Sequence, residues 1–452
     1  MSVYDYYAMT DVLIETPYKS KADTLNLEQR TALEAILAGE SIFLTGPGGS
    51  GKSYLLDVLQ QEFKQLGKTI AITALTGCAA LLLGPHAKTV HSWAGVGLGK
   101  GSVNEIVNSI VMNGRKKKNW KVDCLVIDEV SMLTPQLLEL LDEVGRRVRK
   151  GNYTKPFGGL QLVFVGDFYQ LPPICNGTQC FAFQSKVWSQ VVSKTVSLSM
   201  IYRQSDTTFQ KILNEARTGN LSDESLNVLK SRMNLPWKKL PVRPTLLFTR
   251  NADVSAINKS HFDKLEGETH TFNVNMHNEA EGGTLDGWVQ KKGKKVAPVE
   301  SSFAGWSEKD APYEPTVSLK VGAQVMLTVN LDQEAGRING SRGVITEFVD
   351  GIPCVQFVGC NYSVKIRRHT WKMEDGTIRE QIPLKLAYAL TIHKAQGASL
   401  DSAFVDIGSS TFEYGQAYVA LSRVRSLEAL FVYDVDPSAF KVNPIVKEFY
   451  ES

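Results

Sequence analysis

The sequence predicts an α/β protein with two parallel-sheet halves and small insertions. Three observations carry that expectation. Short unbroken apolar runs recur along both halves of the chain, as strands buried on both faces of a parallel sheet require. One such run feeds the glycine-rich turn Gly46-Pro-Gly-Gly-Ser-Gly51-Lys52-Ser53, which opens a helical pattern. Alternating segments punctuated by Gly and Asn collect in one stretch, from about 319 to 382, and mark a small β-rich insert. With 452 residues, and roughly 150 residues per domain, about three domains are expected.

Taken in order, residues 1–22 show no period and read as an N-terminal arm. In Asn26-Leu-Glu-Gln29, Asn26 can cap a helix and Gln29 can reach back to it. Ser41–Thr45 reads as a strand, and Leu55, Leu56, Leu59, Phe63 and Leu66 then fall at helical spacing before Gly67. Thr69–Leu75, Cys124–Ile127 and Gln161–Val165 are further strands, with a polar insertion at about 90–121. These make a first domain over 23–200. Thr245–Thr249, Ser402–Ile407 and Ala429–Tyr433 repeat the strand pattern, so 201–265 and 383–452 form a second domain interrupted by 266–382. Within that interruption 266–318 is polar and irregular and suggests no fold.

Composition removes several classes. Lys and Arg total 50 against 47 Asp and Glu, a net charge of +3, which argues against a strongly cationic nucleic-acid coat protein or an acidic tail. A chain 43% hydrophobic and 21% charged is neither disordered nor fibrous. No run approaches the ~18 apolar residues of a membrane span, so no membrane partner is expected. The N-terminus lacks the pattern of a secretory signal. Cys78, Cys124, Cys175, Cys180, Cys354 and Cys360 are thinly spread, which suggests free thiols in a reduced intracellular compartment, nucleus or cytoplasm. No histidine cluster predicts a zinc site.

The chemistry concentrates at strand ends. In the glycine-rich turn, Gly46, Gly48, Gly49, Ser50 and Gly51 let backbone N–H groups face phosphate oxygens at a helix N-terminus. Lys52 would bridge the outer phosphates and Ser53 would hold Mg²⁺, so ATP and Mg²⁺ are the expected cofactors. Cys124-Leu-Val-Ile-Asp128-Glu129 is an apolar strand ending in two acids. There Asp128 supplies the second protein contact to Mg²⁺, and Glu129 is placed to activate the attacking water. Val165-Gly-Asp-Phe-Tyr-Gln170-Leu-Pro-Pro173 ends another strand, where Gln170 can sense the γ-phosphate or the water. Hydrolysis also needs extra positive charge at the γ-phosphate. Arg203 and Arg423 are candidates, although spacing alone does not separate them from surface arginines.

The order of these blocks resembles superfamily-one helicases, and within them the Pif family. Gln29 looks like an adenine-reading glutamine. Thr73–Ala80 and Thr89-Val-His91-Ser92-Trp93 are similar to the two strand-contacting motifs that follow the P-loop, and Arg146–Lys150 with Lys155–Gln161 to the family's signature. Thr391-Ile-His393-Lys394-Ala-Gln396-Gly397 and Gly415–Arg423 look like the last two helicase motifs, so the resemblance runs from Gln29 to at least Arg425. It implies two RecA-like domains with ATP between them, an SH3-like fold for the β insert, and Arg203 and Arg423 as arginine fingers. It also implies Gly397 near the nucleotide, with Thr76, His91, Ser92, Trp93, His393 and Lys394 on the nucleic acid. The expected activity is ATP-driven 5′-to-3′ movement on single-stranded DNA with unwinding at duplex junctions, by a monomer, in replication, recombination or repair. An RNA or hybrid helicase, or a translocase that does not unwind, is the alternative. With only about 25 residues before Gln29, the chain resembles a minimal core without organelle targeting.

Basic residues are also bunched. Arg115–Lys118 with Lys121 lies beside Trp120, Arg146–Lys155 holds five, Lys291–Lys295 four, and Lys365, Arg367, Arg368 and Lys372 flank Trp371. Cationic segments next to aromatics suit a strand whose phosphates are neutralised while its bases stack.

Overall fold

The computed structural model describes residues 21–452 apart from 85, 98–101, 150–151, 174–179, 238–241, 279–312, 333–334, 336, 338 and 374–376. Nearly all of the expected N-terminal arm, the lysine cluster at 291–295 and much of 266–318 lie outside the described residues.

Six parallel strands form the first sheet: β1 (Ile42–Thr45), β2 (Ile70–Ala74), β3 (Lys88–Thr89), β4 (Cys124–Asp128), β5 (Gln161–Val165) and β6 (Lys194–Ser197), in the order β3-β2-β4-β5-β1-β6. The central strands are the apolar runs of the sequence, because only they are covered on both faces. One face packs against Leu55, Leu59 and Phe63 of helix α2 (Lys52–Gln65), the other against Trp188, Phe157 and Leu141. β6 sits at the sheet edge and buries only Val196, so it carries no apolar run to read. Helix α1 (Leu27–Leu37) starts at the expected reciprocal cap: Gln29 N–H donates to Asn26 Oδ1 at 2.8 Å and Asn26 N–H to Gln29 Oε1 at 3.1 Å.

The second sheet is four parallel strands in the order Ala389–Thr391, Thr245–Phe248, Ala403–Ile407 and Leu430–Val435. Its first strand was not apparent from the sequence. The insert between the halves contains a five-stranded antiparallel sheet around Val325, Val355, Phe357 and Leu384. Its β structure begins earlier than expected. His270–Asn273 pairs with Thr316–Leu319, and Asn275–Asn278 pairs with Thr377–Gln381, so part of the stretch that suggested no fold is strand. Arg342, 1% exposed, stitches the insert to the second domain through the Arg243 carbonyl at 2.9 Å and Thr245 Oγ1 at 3.1 Å.

The last helix, Pro444–Glu451, follows the second domain in sequence but lays Val446, Phe449 and Tyr450 into the core of the first. Phe449 stacks on Phe183 at 4.1 Å and Tyr450 on Tyr169 at 4.7 Å. One cysteine expectation is corrected: Cys124, Cys354 and Cys360 are free, but Cys180 is in a disulfide. Among the described residues no helix is long and apolar enough to cross a membrane.

Candidate functional site

Because β1, β4 and β5 run parallel side by side, Gly46, Asp128 and Gly166 emerge at the same, C-terminal end of the strands. The loop from Gly46 to Gly51 turns there through left-handed glycines, with φ of 140° at Gly46 and 86° at Gly49 and Gly51. A Cβ at Gly46 would stand 2.4 Å from the Leu198 carbonyl oxygen, and one at Gly49 would stand 2.5 Å from Arg203 Cβ. Any side chain at either place would push the loop off its neighbours. Helix α2 begins at Lys52, aiming its free N–H groups into the loop.

Gly48 to Tyr54, Asp128, Glu129, Gly166, Gln170, Arg203, Gly397 and Arg423 line one cleft of about 250 Å³. Lys52 Nζ donates to the Gly46 and Pro47 carbonyls at 2.7 and 2.9 Å. Burial lowers its pKa, against the pull of Asp167, Asp128 and Glu129. Burial, with Glu129 next to it, pushes the Asp128 carboxyl up to about 7. Glu129 is held by the second domain, Gln396 Nε2 donating to its Oε2 at 3.0 Å. Gln170 lines the cleft, is 6% exposed, and its Oε1 is buried with no hydrogen-bond partner.

Two arginines complete the cleft, Arg203 from the segment after β6, whose N–H donates to the Gly49 carbonyl at 3.3 Å, and Arg423 from the second domain. Arg203 donates to the Ser422 carbonyl at 3.2 Å. Arg423, 2% exposed, donates to the carbonyls of Val419 at 2.8 Å and of Ala395 and Ala398 at 3.3 Å, and to Ser422 Oγ at 2.6 Å. Its pKa is lowered to about 10, first by burial and then by Arg203 beside it. It therefore lines the cleft and also ties the loop bearing Gly397 to its own helix. Gln29 does not line the cleft, but its Nε2 lies 2.6 Å from where a Gly51 Cβ would be.

Several residues at the cleft carried no assigned role in the sequence. Asp167 is fully buried and receives a bidentate pair from Arg217 of the second domain, Nε to Oδ2 at 2.8 Å and Nη2 to Oδ1 at 2.9 Å. Gly48 N–H donates to the Tyr418 hydroxyl at 2.8 Å. Tyr202, 53% exposed, lies against Gly51 and accepts from Asn26 Nδ2 at 2.9 Å. Tyr418 stood inside a recognised motif, whereas nothing local distinguishes Arg217 from other helix arginines.

The expected nucleic-acid contacts do not share the cleft. Thr76 is partly buried and accepts the Ala79 N–H at 3.2 Å, capping a short helix. His91, Ser92 and His393 are partly buried, and burial lowers the His393 pKa, while Lys394 is exposed. Trp93 corrects the expectation. It is 4% exposed and packs on Trp120 at 4.8 Å, so it is a core residue.

Two of the aromatics beside the basic clusters are also core residues. Trp120 is fully buried and Trp371 is 2% exposed, so neither offers a face to a base. In the stretch 146–155, Arg146 pairs with Asp142 at 2.7 Å and Arg147 with Glu143. Arg149 donates to the carbonyls of Trp120, Val122 and Gly158. Phe157 N–H donates to Asp142 Oδ1 at 2.6 Å, and a Cβ at Gly145 would stand 2.8 Å from the Phe157 carbonyl oxygen. Arg146, Arg147 and Arg149 are thus engaged in clasping a loop to a helix.

A phosphate-binding loop on one parallel-sheet domain, faced across a cleft by Arg423 of a second, defines a two-domain P-loop protein of the RecA-like kind. Comparison with known proteins narrows the class. The family described as PIF1-like helicase matches residues 24–227, and that described as the 2B domain of DNA helicase Pif1 matches 314–348. The human ATP-dependent DNA helicase PIF1 is 38% identical over 437 residues, covering 94% of this chain and 63% of that protein. The chain thus spans less than two thirds of the length of that relative. The crystal structure of a Candida albicans Pif1 helicase superimposes with a TM-score of 0.76 at 32% identity, over 94% of this chain and 99% of that one. Bacteroides Pif1 bound to single-stranded DNA does so with 0.67 at 26% identity, over 94% and 96%. The chain belongs to the Pif1 helicase family.

Proposed function

We propose that the chain is an ATP-dependent DNA helicase that moves 5′ to 3′ on single-stranded DNA and separates duplex at junctions. The observation that carries this reading is the divided cleft: phosphate loop, Asp128, Glu129 and Gln170 on one domain, Arg423 on the other, and Arg203 on the segment that joins them. Family membership and the single-stranded DNA complex of the Bacteroides relative support the substrate class, and the polarity is the one consistent with the family.

The donor set suits a nucleoside triphosphate with Mg²⁺. Glycines leave room for phosphate oxygens, and Asp128, whose carboxyl is pushed up by burial, would hold a cation together with Ser53 that would offset its charge. Bound ATP supplies the phosphoanhydride that is cleaved. Lys52, now donating to its own loop's carbonyls, turns its ammonium to the outer phosphates. Glu129 takes a proton from the attacking water, and Gln170 Oε1 accepts from the same water and fixes its direction. Arg203 and Arg423 offset charge on the γ-phosphoryl oxygens. Because catalysis needs groups of both domains, domain closure and hydrolysis become one event, and His91, Ser92, His393, Lys394 and Thr76 alternate their hold on the strand.

The test is unwinding of matched duplexes carrying a 5′ or a 3′ single-stranded tail, with ATP and Mg²⁺. Separation of the 5′-tailed substrate alone is expected. Separation of the 3′-tailed substrate refutes the polarity, and hydrolysis with neither separated leaves a translocase. Stimulation by RNA above DNA refutes the substrate.

A further inference from the structure

Among the described residues, the hydroxyl of Tyr418 makes a direct side-chain bond between the helix that leads to Arg423 and the phosphate loop. Tyr418 lies on the helix Gln416–Leu421 of the second domain and is 2% exposed. Its hydroxyl accepts from Gly48 N–H at 2.8 Å and donates to Asp167 Oδ2 at 3.4 Å. Both directions of the phenol are therefore assigned, one to the loop and one to the carboxylate. The carboxylate is itself fixed by the two-pronged pair with Arg217. A chain of four groups thus runs from the loop through the second domain, into the first, and back to the second.

The same short helix is pressed against the first domain at its start. A Cβ at Gly415 would lie 2.4 Å from the Tyr169 carbonyl oxygen and 2.8 Å from that of Gln170. One turn beyond Tyr418, Ser422 N–H donates to the Tyr418 carbonyl at 3.0 Å, and Arg423 donates through Nε to the Val419 carbonyl at 2.8 Å. The guanidinium is thus rigidly indexed to the helix, and the helix is indexed to Gly48 by one hydroxyl. Apolar packing of the ring fills space but sets no register along the loop.

We infer that Tyr418 is a positioning residue for hydrolysis, its hydroxyl setting the register of the Arg423 helix on the phosphate loop through Gly48 and the Asp167–Arg217 pair. This rests on the proposed ATP-hydrolysing function and goes further, since neither the phenol nor the Asp167–Arg217 pair is among the residues lining the cleft. Ground-state nucleotide affinity comes mainly from the remaining loop N–H groups and Lys52. The arginine acts on charge that develops in the transition state. Loss of register therefore appears in kcat and not in KM.

The experiment measures DNA-stimulated ATP hydrolysis and nucleotide binding for the full chain, Tyr418→Phe, Arg217→Lys and the double variant. Phenylalanine keeps the ring and removes the hydroxyl. Lysine keeps the charge of Arg217 and removes the fork that orients Asp167. Tyr418→Phe is expected to lower kcat by about ten- to a hundredfold, the scale of a small misplacement, with KM and nucleotide affinity within about threefold. Arg217→Lys lowers kcat by less, also without change in KM, and the double variant is no slower than Tyr418→Phe within about twofold. Unchanged kcat in Tyr418→Phe overturns the inference, and so does an affinity loss equal to the kcat loss, which marks a role in loop shape only. Should Tyr418→Phe fail to fold, Arg217→Lys decides alone on the same two criteria. An unaltered chain that hydrolyses no ATP overturns the proposed function itself, an outcome distinct from an active chain with indifferent variants.

Discussion

Replacing Arg217 by Met tests what holds the two domains together. Arg217 is on the helix Thr207–Thr218 of the second domain, and its partner Asp167 is on the first with no exposed surface. Removing the cation leaves a buried carboxylate without its counter-charge, a change that costs about 3–5 kcal/mol. Two features bear on where in that range it falls. Tyr418 and Tyr450 hydroxyls at 3.4 Å and the Tyr169 N–H at 3.2 Å still donate to Asp167, which limits the loss. The guanidinium also lies 4.6 Å from the centre of the Tyr169 ring, and losing that contact adds about 0.5–2 kcal/mol. A destabilisation of about 3–4 kcal/mol is therefore expected. In a chain of several domains it is best read by calorimetry, where domains that unfold together in the unaltered protein should separate into two transitions. Adding Asp167→Asn removes the unpaired charge and should restore much of the loss. A cost below about 1 kcal/mol, the value of a solvent-exposed pair, refutes the reasoning.

Lys52→Ala should abolish ATP turnover while DNA affinity, measured by fluorescence anisotropy, stays within a few-fold, because the loop carries none of the expected strand contacts. Arg423→Ala should cut hydrolysis by about 10³-fold, and should also lower thermal stability, since four protein acceptors lose their donor. The Asp128 carboxyl, raised from 3.8 to about 7, keeps a proton in the folded state that the unfolded chain has released. Without Mg²⁺, stability should therefore fall as pH rises through that window, by at most about 1.4 kcal/mol per pH unit. Asp128→Asn should flatten the slope in denaturant titrations. Trp93→Ala should reduce stability by about 3–5 kcal/mol as a core truncation, and Trp93→Phe should leave DNA affinity nearly unchanged in the same anisotropy assay.

What the sequence determined by itself is local. A strand, six residues of glycine-rich turn and a helix beginning at Lys52 are contiguous, so hydrophobic period and glycine placement were enough to find the phosphate loop. The same holds for the acids ending β4, the cap at Asn26 and Gln29, and the central strands, each set by its own few residues. The edge strand β6 escaped because half-covered strands show no apolar run, and β3 because it has two residues. Burial and partner choice were decided only by the tertiary structure. Trp93, Trp120 and Trp371 look like stacking platforms until the fold closes over them. Arg146, Arg147 and Arg149 look like a cationic patch until carbonyls and carboxylates of their own segment and its neighbours engage them. Asp167 with Arg217, and Gly48 with Tyr418, pair residues 50 and 370 positions apart. No periodicity spans such separations, because the contact arises from how two independently patterned sheets are set against each other.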